Sequence, residues 1–412
     1  MTASYLAVIR LRPARRLLYA LGAACVSFGM VGLTLLLSVE RSTGSYADAG
    51  FAVSLFALAA GASAPLRGRL VDRRGARRSL PGLAVGYAAS LGAIDLFANL
   101  GGPLWMLLLL AACVGASTPP LFSSARAVWP QAVEPHLLRR GFALTSLLAD
   151  AGQVAGPALA SVLFLVSPWI APLVCAATAA LGAALSLPTR DPSTYRHAPR
   201  PMPRLLASRA LLALLGTSIL FGASVGLIQV SVPSLAGAWH ESSLGGPLLA
   251  AFALGSVLGA LWFGTRRWRR AVIERYLLAV LVLGILIAPI ALAGSPSQLA
   301  PLLLIAGLAF GPATVSVFEA LDVLAPGSGT EALTWVTTAE ASGTAVGAAA
   351  AGLIATHGAR STPFLVASAL LVIPIGLLLL TRTQTRRSRA RRLPGGMQTP
   401  RRRHSAPPPG AE

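Results

Sequence analysis

Two acidic residues, Asp150 and Glu340, stand inside long apolar runs of this sequence, where charged side chains are rare. They lie ten and nine residues beyond the nearest charged residue on the N-terminal side. At a helical rise of about 1.5 Å per residue, each would lie about 15 Å deep, near the centre of a bilayer. A carboxyl group at that depth is costly and is a functional candidate by default, with proton binding and release as its chemistry. The alternative is a neutral acid that hydrogen-bonds a backbone carbonyl beside Gly152 or Gly343.

A basic stretch between two apolar runs, Gly68 to Arg78, is the second candidate; it reads G-R-L-V-D-R-R-G-A-R-R. With Arg67 it forms a predicted loop of about a dozen residues that contains six arginines. Two glycines allow tight turns, and Asp72 can form bidentate pairs with guanidinium groups. This composition predicts a gating loop, and the alternative is an arginine cluster that only fixes topology. The candidate gating residues are Gly68, Asp72, Arg73, Gly75, Arg77 and Arg78.

The composition indicates a membrane protein. Hydrophobic residues make up 55% of the 412 and charged residues 12%, with a mean hydropathy of +0.69. Nucleic acid is excluded as a partner because the +20 net charge is carried in loops and a tail beside apolar runs, where anionic lipid is available. All 34 basic residues are arginine, so the chain contains neither an ATP-binding G-x-x-x-x-G-K-[ST] loop nor a Schiff-base lysine. Isolated cysteines and scattered histidines predict no metal site, no cofactor and no enzyme.

Twelve apolar runs are long enough to span a bilayer, so the predicted fold class is an all-α membrane protein of twelve helices. The runs are 17–39, 47–66, 80–97, 104–122, 142–166, 169–187, 211–230, 246–264, 276–293, 299–318, 332–356 and 363–380. If both termini are cytoplasmic, 32 of the 34 arginines lie on the cytoplasmic side, as the positive-inside rule requires. We therefore predict a multi-pass protein of the cell membrane with cytoplasmic termini.

The predicted domain organisation follows from this pattern. A cytoplasmic segment of residues 1–16 precedes a six-helix bundle, 17–187, and a Pro-rich cytoplasmic linker, 188–208, leads to a second bundle, 209–381. Residues 382–412 carry nine arginines and no apolar run, which predicts a disordered cytoplasmic tail. Such a tail either binds anionic lipid, at about 1 kcal/mol per basic residue, or only reinforces topology.

The two bundles repeat each other. Leu21-Gly22 and Val31-Gly32 recur 194 positions later, and Gly152 and Gly156 recur 191 positions later as Gly343 and Gly347. A shared offset predicts two pseudo-repeats of six helices. These glycines recur every four residues and favour close helix packing, while Pro157 removes a backbone donor and permits a bend.

Two motifs resemble those of a known family. The pattern G-x-L-x-D-R-x-G-x-R-R, between the second and third runs, resembles the corresponding loop of the major facilitator superfamily of secondary transporters. The sequence G-x-x-x-G-P at 152–157 is similar to the motif of drug and proton antiporters in that family. The resemblance implies two halves related by an axis along the membrane normal, and it implies that Asp72 lies near the start of the eleventh helix, at 331–333, in the outward-facing state.

The sequence therefore predicts a monomeric transporter that exports a small amphiphilic organic solute by alternating access, with protons as the coupling ion. Gln153 and Gln229 are the candidate residues of the substrate cavity, because the spans hold few other hydrogen-bonding side chains. Two alternatives remain open: an importer of a sugar or another metabolite, and a receptor or assembly factor on the same fold that does not transport.

Overall fold

The computed structural model describes residues 10–134, 137–186, 209–266, 268–324, 329–357 and 361–372. Three predicted segments lie outside the described residues: the linker 188–208, the tail 382–412 and the end of the twelfth run. Within the described ranges the secondary structure is entirely helical. The helices are α1 Arg12–Thr43, α2 Tyr46–Arg74, α3 Ala76–Asn99, α4 Leu104–Ser117, α5 Leu121–Ala132, α6 Leu138–Val166, α7 Ile170–Leu185, α8 Arg209–Ala238, α9 Gly245–Thr265, α10 Val272–Ile287, α11 Pro296–Leu324, α12 Gly329–His357 and α13 Thr362–Val372.

The described helices confirm the all-α membrane fold. Seven of them are long and apolar enough to cross a membrane by length and composition, and four shorter helices are also apolar. A helix satisfies every backbone group within itself, which is why apolar runs of this length fold as helices in lipid. We call α1 to α7 the first half and α8 to α13 the second half.

The link between α2 and α3 differs from the predicted loop. Helix α2 continues through the basic stretch to Arg74, and α3 begins at Ala76, so that Gly75 alone separates them. Gly75 has φ +80° and accepts the sharp change of direction that the prediction assigned to it. Gly68 lies inside α2, so its predicted role in a turn is wrong. Arginine is a good helix former, and a basic sequence therefore need not end a helix.

The predicted fourth span, 104–122, is broken into two helices. Helix α4 ends at Ser117, and α5 begins at Leu121 after Pro119 and Pro120. Because proline has no N–H group, the carbonyls of Gly115 and Ala116 lose their usual helical donors. The break is thus encoded locally by two adjacent prolines.

Helix packing follows the same pattern in both halves. In the first half α1 packs on α6 and α7, and α2 packs on α4; in the second half α8 packs on α12, and α9 packs on α11. The backbone contacts correspond residue by residue. Gly152 contacts Cys25 in the first half, and Gly343 contacts Ile219 in the second. Gly343 follows Gly152 by 191 positions, and Ile219 follows Cys25 by 194. The predicted pseudo-repeat is therefore present in three dimensions.

Candidate functional site

The two halves meet along two helix pairs, α2 with α12 and α6 with α9, which together we call the seam. At Gly50 of α2, an added Cβ would lie 2.6 Å from the carbonyl oxygen of Ala348. At Gly246 of α9, an added Cβ would overlap the carbonyl oxygen of Pro157. Gly246 follows Gly50 by 196 positions, and Ala348 follows Pro157 by 191, so the two sides of the seam are equivalent. Both crossings need a residue without a side chain.

Hydrogen bonds reinforce the seam near the turn between α1 and α2. The Gly246 N–H donates to Ser161 Oγ at 2.9 Å, and the Tyr46 hydroxyl donates to the Pro233 carbonyl at 3.3 Å. We call this end of the bundle the Gly44 end, after the residue that terminates α1 with φ +67°. The opposite end, where Gly75 joins α2 to α3, is the Gly75 end. These two hydrogen bonds between the halves thus lie at the Gly44 end.

The seam continues from the Gly44 end into the middle of the bundle. Eleven residues beyond Gly50, a Cβ on Gly61 would still lie 3.1 Å from the Ala341 side chain. Seven residues further, a Cβ on Gly68 would meet no described atom within 4 Å. Along α2 the glycine contacts with α12 therefore extend over roughly 16 Å, from Gly50 to Gly61.

The predicted helix-packing glycines lie within the halves rather than between them. An added Cβ on Gly152 or Gly156 would overlap the backbone of α1 at Cys25 and Gly29. Likewise, Gly343 and Gly347 face the backbone of α8 at Ile219 and Ala223. Pro157 follows these contacts by one residue and presents its carbonyl to α9. Helix α6 is thus held by its own half through glycines and by the other half through Pro157.

Glu340 lies in α12 and is partly buried. Its backbone carbonyl is in close contact with Gly222 of α8, and its carboxyl group lies within electrostatic range of the Tyr276 hydroxyl of α10. Among the described residues, no hydrogen bond or ion pair to this carboxyl group is recorded. Thr217 and Ser218 of α8 are also neighbours of Tyr276. Glu340 therefore lies near a set of polar side chains inside the second half, namely Tyr276, Thr217 and Ser218.

The second candidate acid and the gating aspartate can be placed only along their helices. Asp150 belongs to α6, two residues before Gly152, and Asp72 belongs to the last turn of α2. Both side chains lie outside what the structure describes, as do those of 331–333. Arg73, Arg77 and Arg78 are exposed at the Gly75 end. The candidate substrate residues lie in different halves, with Gln153 of α6 exposed and Gln229 of α8 partly buried.

Arg67 is a buried cation that the sequence interpretation placed in the loop. Its residue is 8% exposed inside α2, and its guanidinium group donates to the Thr118 carbonyl and, at 2.6 Å, to the Ala60 carbonyl. Thr118 is the residue at which α4 ends before the two prolines. Arg67 therefore caps the break in the fourth span from the neighbouring helix. The pair Pro119-Pro120 indicates the helix break, but the donors it removes are those of Gly115 and Ala116, so it does not identify the Thr118 carbonyl as a partner of Arg67.

A buried polar cluster in the first half was also not predicted. The Ser27 and Tyr87 hydroxyls are 3.0 Å apart, and the Cys175 thiol lies 3.3 Å from the first and 3.2 Å from the second. Cys175 is therefore part of a hydrogen-bonded cluster in the interior of the first half. The cluster borders a small cavity lined by aromatic and aliphatic side chains, among them Phe28 and Phe122.

Comparison with known proteins supplies the family. A family model described as Major Facilitator Superfamily matches residues 17–330. Solved structures with the same fold include the nucleoside transporter NupG, with a TM-score of 0.70 and 14% identity over 90% of this chain and 99% of that one. A POT family transporter in complex with a thioalcohol-conjugated peptide gives 0.68 and 12%, covering 90% and 96%. A bacterial homologue of the iron transporter ferroportin, in the inward-facing state, gives 0.66 and 16%, covering 88% and 95%. No curated protein sequence matches the chain.

Proposed function

Since the chain belongs to the Major Facilitator Superfamily, a family of membrane transporters, we propose that it exports a small amphiphilic organic solute by alternating access. The observation that carries this proposal is the seam. Two equivalent helix pairs join the halves at the Gly44 end through Gly50 and Gly246. Two halves that meet along such a pair of equivalent crossings can rock about their interface and expose a central site alternately to each side.

The proposed orientation places both termini in the cytoplasm, so that the Gly44 end faces outward. The distribution of arginine supports it, since 32 of 34 then face inward. The conformation described above would then be inward-facing, closed at the outer end.

Export, rather than import, is supported by the sequence G-x-x-x-G-P at 152–157 and by the apolar character of the spans. Protons are the proposed coupling ion, and Asp150 and Glu340 are their proposed carriers, since a carboxyl group inside a membrane is a functional candidate by default. Anionic lipid is the proposed partner of the basic tail. We propose that the protein acts as a monomer.

Export is tested in a host that lacks its own multidrug pumps. We expect expression of the protein to lower the accumulation of at least one amphiphilic compound and to raise resistance to it, and a protonophore should reverse both effects. Raised accumulation of a sugar or metabolite would indicate an importer. A blank screen, together with a partner that co-purifies, would indicate a receptor or assembly factor.

The orientation is tested with alkaline phosphatase, which is active only outside the cytoplasm. Fusions after Ala198 and after Arg392 should be inactive, because the linker and the tail are cytoplasmic in this topology. A fusion after Gly294, in the exposed turn between α10 and α11, should be active and serves as the positive control. Activity at Ala198 or Arg392 would contradict the twelve-span topology.

The seam is tested by adding a single methyl group. Gly246→Ala should weaken closure of the Gly44 end, because the new Cβ would overlap the Pro157 carbonyl and Ser161 Oγ. Overpacking typically costs about 1 to 3 kcal/mol, which corresponds to a shift of roughly 5- to 150-fold in the ratio of the two states. The shift is measured by the labelling rate of single cysteines introduced at each end.

Two variants frame that measurement. Gly264→Ala is the control on the same helix, since a Cβ there meets no described atom within 4 Å, and its labelling should equal that of wild type. Asp72→Asn should shift the labelling in the opposite direction. It removes an anion that we propose to contact the helix end at 331–333 in the outward-facing state, and such a contact contributes about 0.3 to 2 kcal/mol. Equal labelling of Gly246→Ala and wild type would contradict the proposed rocking about the seam.

A further inference from the structure

A separate cavity lies at the Gly44 end, wholly within the first half. It has a volume of about 220 Å³ and is enclosed by the last turns of α1 and α3 and by the end of α6. We call it the end pocket and define it by Arg41, Asp95, Ser38, Ser42, Asn99 and Phe164, which line it. At about 30 Å³ per water molecule, the space would hold roughly seven waters or one small organic molecule. None of these residues contributes to the seam contacts or to the surroundings of Glu340.

Opposite charges face each other across the end pocket. Asp95 is buried, at 4% exposure, whereas Arg41 is exposed at the rim. Arg41 is near enough to interact electrostatically with the Asp95 carboxylate, yet between these two described residues no ion pair within 4.0 Å is formed. A buried carboxylate is normally neutralised by a direct partner. The Asn99 side chain is within hydrogen-bonding reach of the Asp95 carboxyl group, but no described cation pairs with it directly, and Asp95 lines the cavity.

Ser38 is a further buried polar residue beside the pocket. Its side chain is 4% exposed and lines the cavity, and its Oγ atom has no hydrogen-bond partner among the described residues. A buried hydroxyl without a partner is unfavourable and is uncommon in native proteins. The Asn99 side-chain amide donates at 2.6 Å to the Asp95 backbone carbonyl and holds the end of α3 in place. Ser38 and Asp95 therefore lie near the ends of α1 and α3.

We propose that the end pocket binds a small zwitterion of amino-acid size. Its ammonium group would pair with the Asp95 carboxylate, its carboxylate would pair with the Arg41 guanidinium, and its short aliphatic part would lie against Phe164. A free anion is disfavoured by Asp95, and a free cation is disfavoured by Arg41. A hard metal ion needs about six or more oxygen ligands, and the described residues contain no group of three metal-ligating side chains. The proposal is independent of transport, since it uses no residue of the seam.

The test uses the purified full-length protein in detergent, with L-alanine as the probe. Isothermal titration and thermal-shift assays should show saturable binding of L-alanine. Ethylamine and propionate, which keep one charge each, should bind at least about tenfold more weakly, because each loses one charge-assisted contact. Titration to roughly 100 mM covers dissociation constants well above the millimolar range.

Three variants decide the outcome. Asp95→Asn and Arg41→Gln should each weaken L-alanine binding at least about tenfold, and Arg41→Gln should also remove the preference for L-alanine over ethylamine. Arg41 is exposed, so its variant is expected to fold even if the buried Asp95 variant does not. Glu241→Gln, an exposed acid at the same end, is the control and should bind like wild type. No saturable binding of L-alanine, or equal binding by wild type and Arg41→Gln, would overturn the proposal and leave the pocket filled by water.

Discussion

Replacing Glu340 by glutamine is expected to abolish export against a gradient while leaving substrate binding intact. Glutamine keeps the shape of the side chain but cannot bind and release a proton. Glu340 lies partly buried in α12, and no described residue neutralises it by an ion pair. A carboxyl group of this kind can pick up a proton from one side of the membrane and release it on the other when the two halves rock. We therefore expect a loss of at least tenfold in the accumulation ratio, about 1.4 kcal/mol or more of driving force.

The measurement is uphill transport in proteoliposomes with an imposed pH gradient, over about pH 6 to 8, alongside equilibrium substrate binding. Asp150→Asn is the second variant and tests the equivalent depth of the first half. Glu241→Gln, at an exposed position, is the control for the loss of one carboxyl group. If Glu340→Gln and Asp150→Asn both drive uphill export as well as wild type does, protons are not carried by these residues. Downhill exchange that stays active, with a flattened pH dependence, would support the assignment.

Replacing Arg67 by alanine is expected to destabilise the protein more than any other single arginine substitution at the Gly75 end. The guanidinium group is buried and donates to two carbonyls, at Thr118 and Ala60. A hydrogen bond to a charged group contributes about 1.5 to 3 kcal/mol, so two lost bonds cost roughly 3 to 6 kcal/mol, of which relief of the buried charge returns a part. Thr118 would also be left without this donor at the break between α4 and α5.

Thermal unfolding in detergent checks this expectation. Arg69→Ala is the matched control, because Arg69 lies two residues away on the same helix and is exposed; its effect should stay within about 0.5 kcal/mol. Arg67→Lys keeps the charge but has no planar fork, so it should recover only part of the loss. Equal unfolding temperatures for Arg67→Ala and Arg69→Ala would show that the two carbonyls find other donors.

The membrane fold was predictable because hydropathy and helix formation are coupled in lipid. Backbone groups cannot remain unpaired there, so each apolar run becomes a helix. The repeat was predictable for a different reason, since close helix crossings need glycine and glycine positions can be aligned. Gly152 with Gly343 and Gly156 with Gly347 were sufficient to place the two halves in register.

Helix ends and long-range partners were not predictable in the same way. Charge marks where a chain leaves lipid but does not mark where a helix stops, and α2 therefore runs eight residues beyond Leu66 to Arg74. Arg67 is buried where its guanidinium group donates to the Thr118 carbonyl, which is 51 positions away in the sequence. The cluster of Ser27, Tyr87 and Cys175 joins three helices that no sequence spacing relates. Such contacts are set by packing, which is absent from a one-dimensional pattern.

The equivalence of the two sides of the seam bears on the ancestry of the chain. Gly50 contacts Ala348, and Gly246 contacts Pro157. Ala348 and Pro157 occupy equivalent positions in the two halves. One half therefore carries both complementary surfaces, a glycine face on its second helix and a carbonyl face on its fifth span. Two copies of such a half, placed around a twofold axis, would bury the same crossings twice. The arrangement is that of a homodimer whose two subunits are joined into one polypeptide.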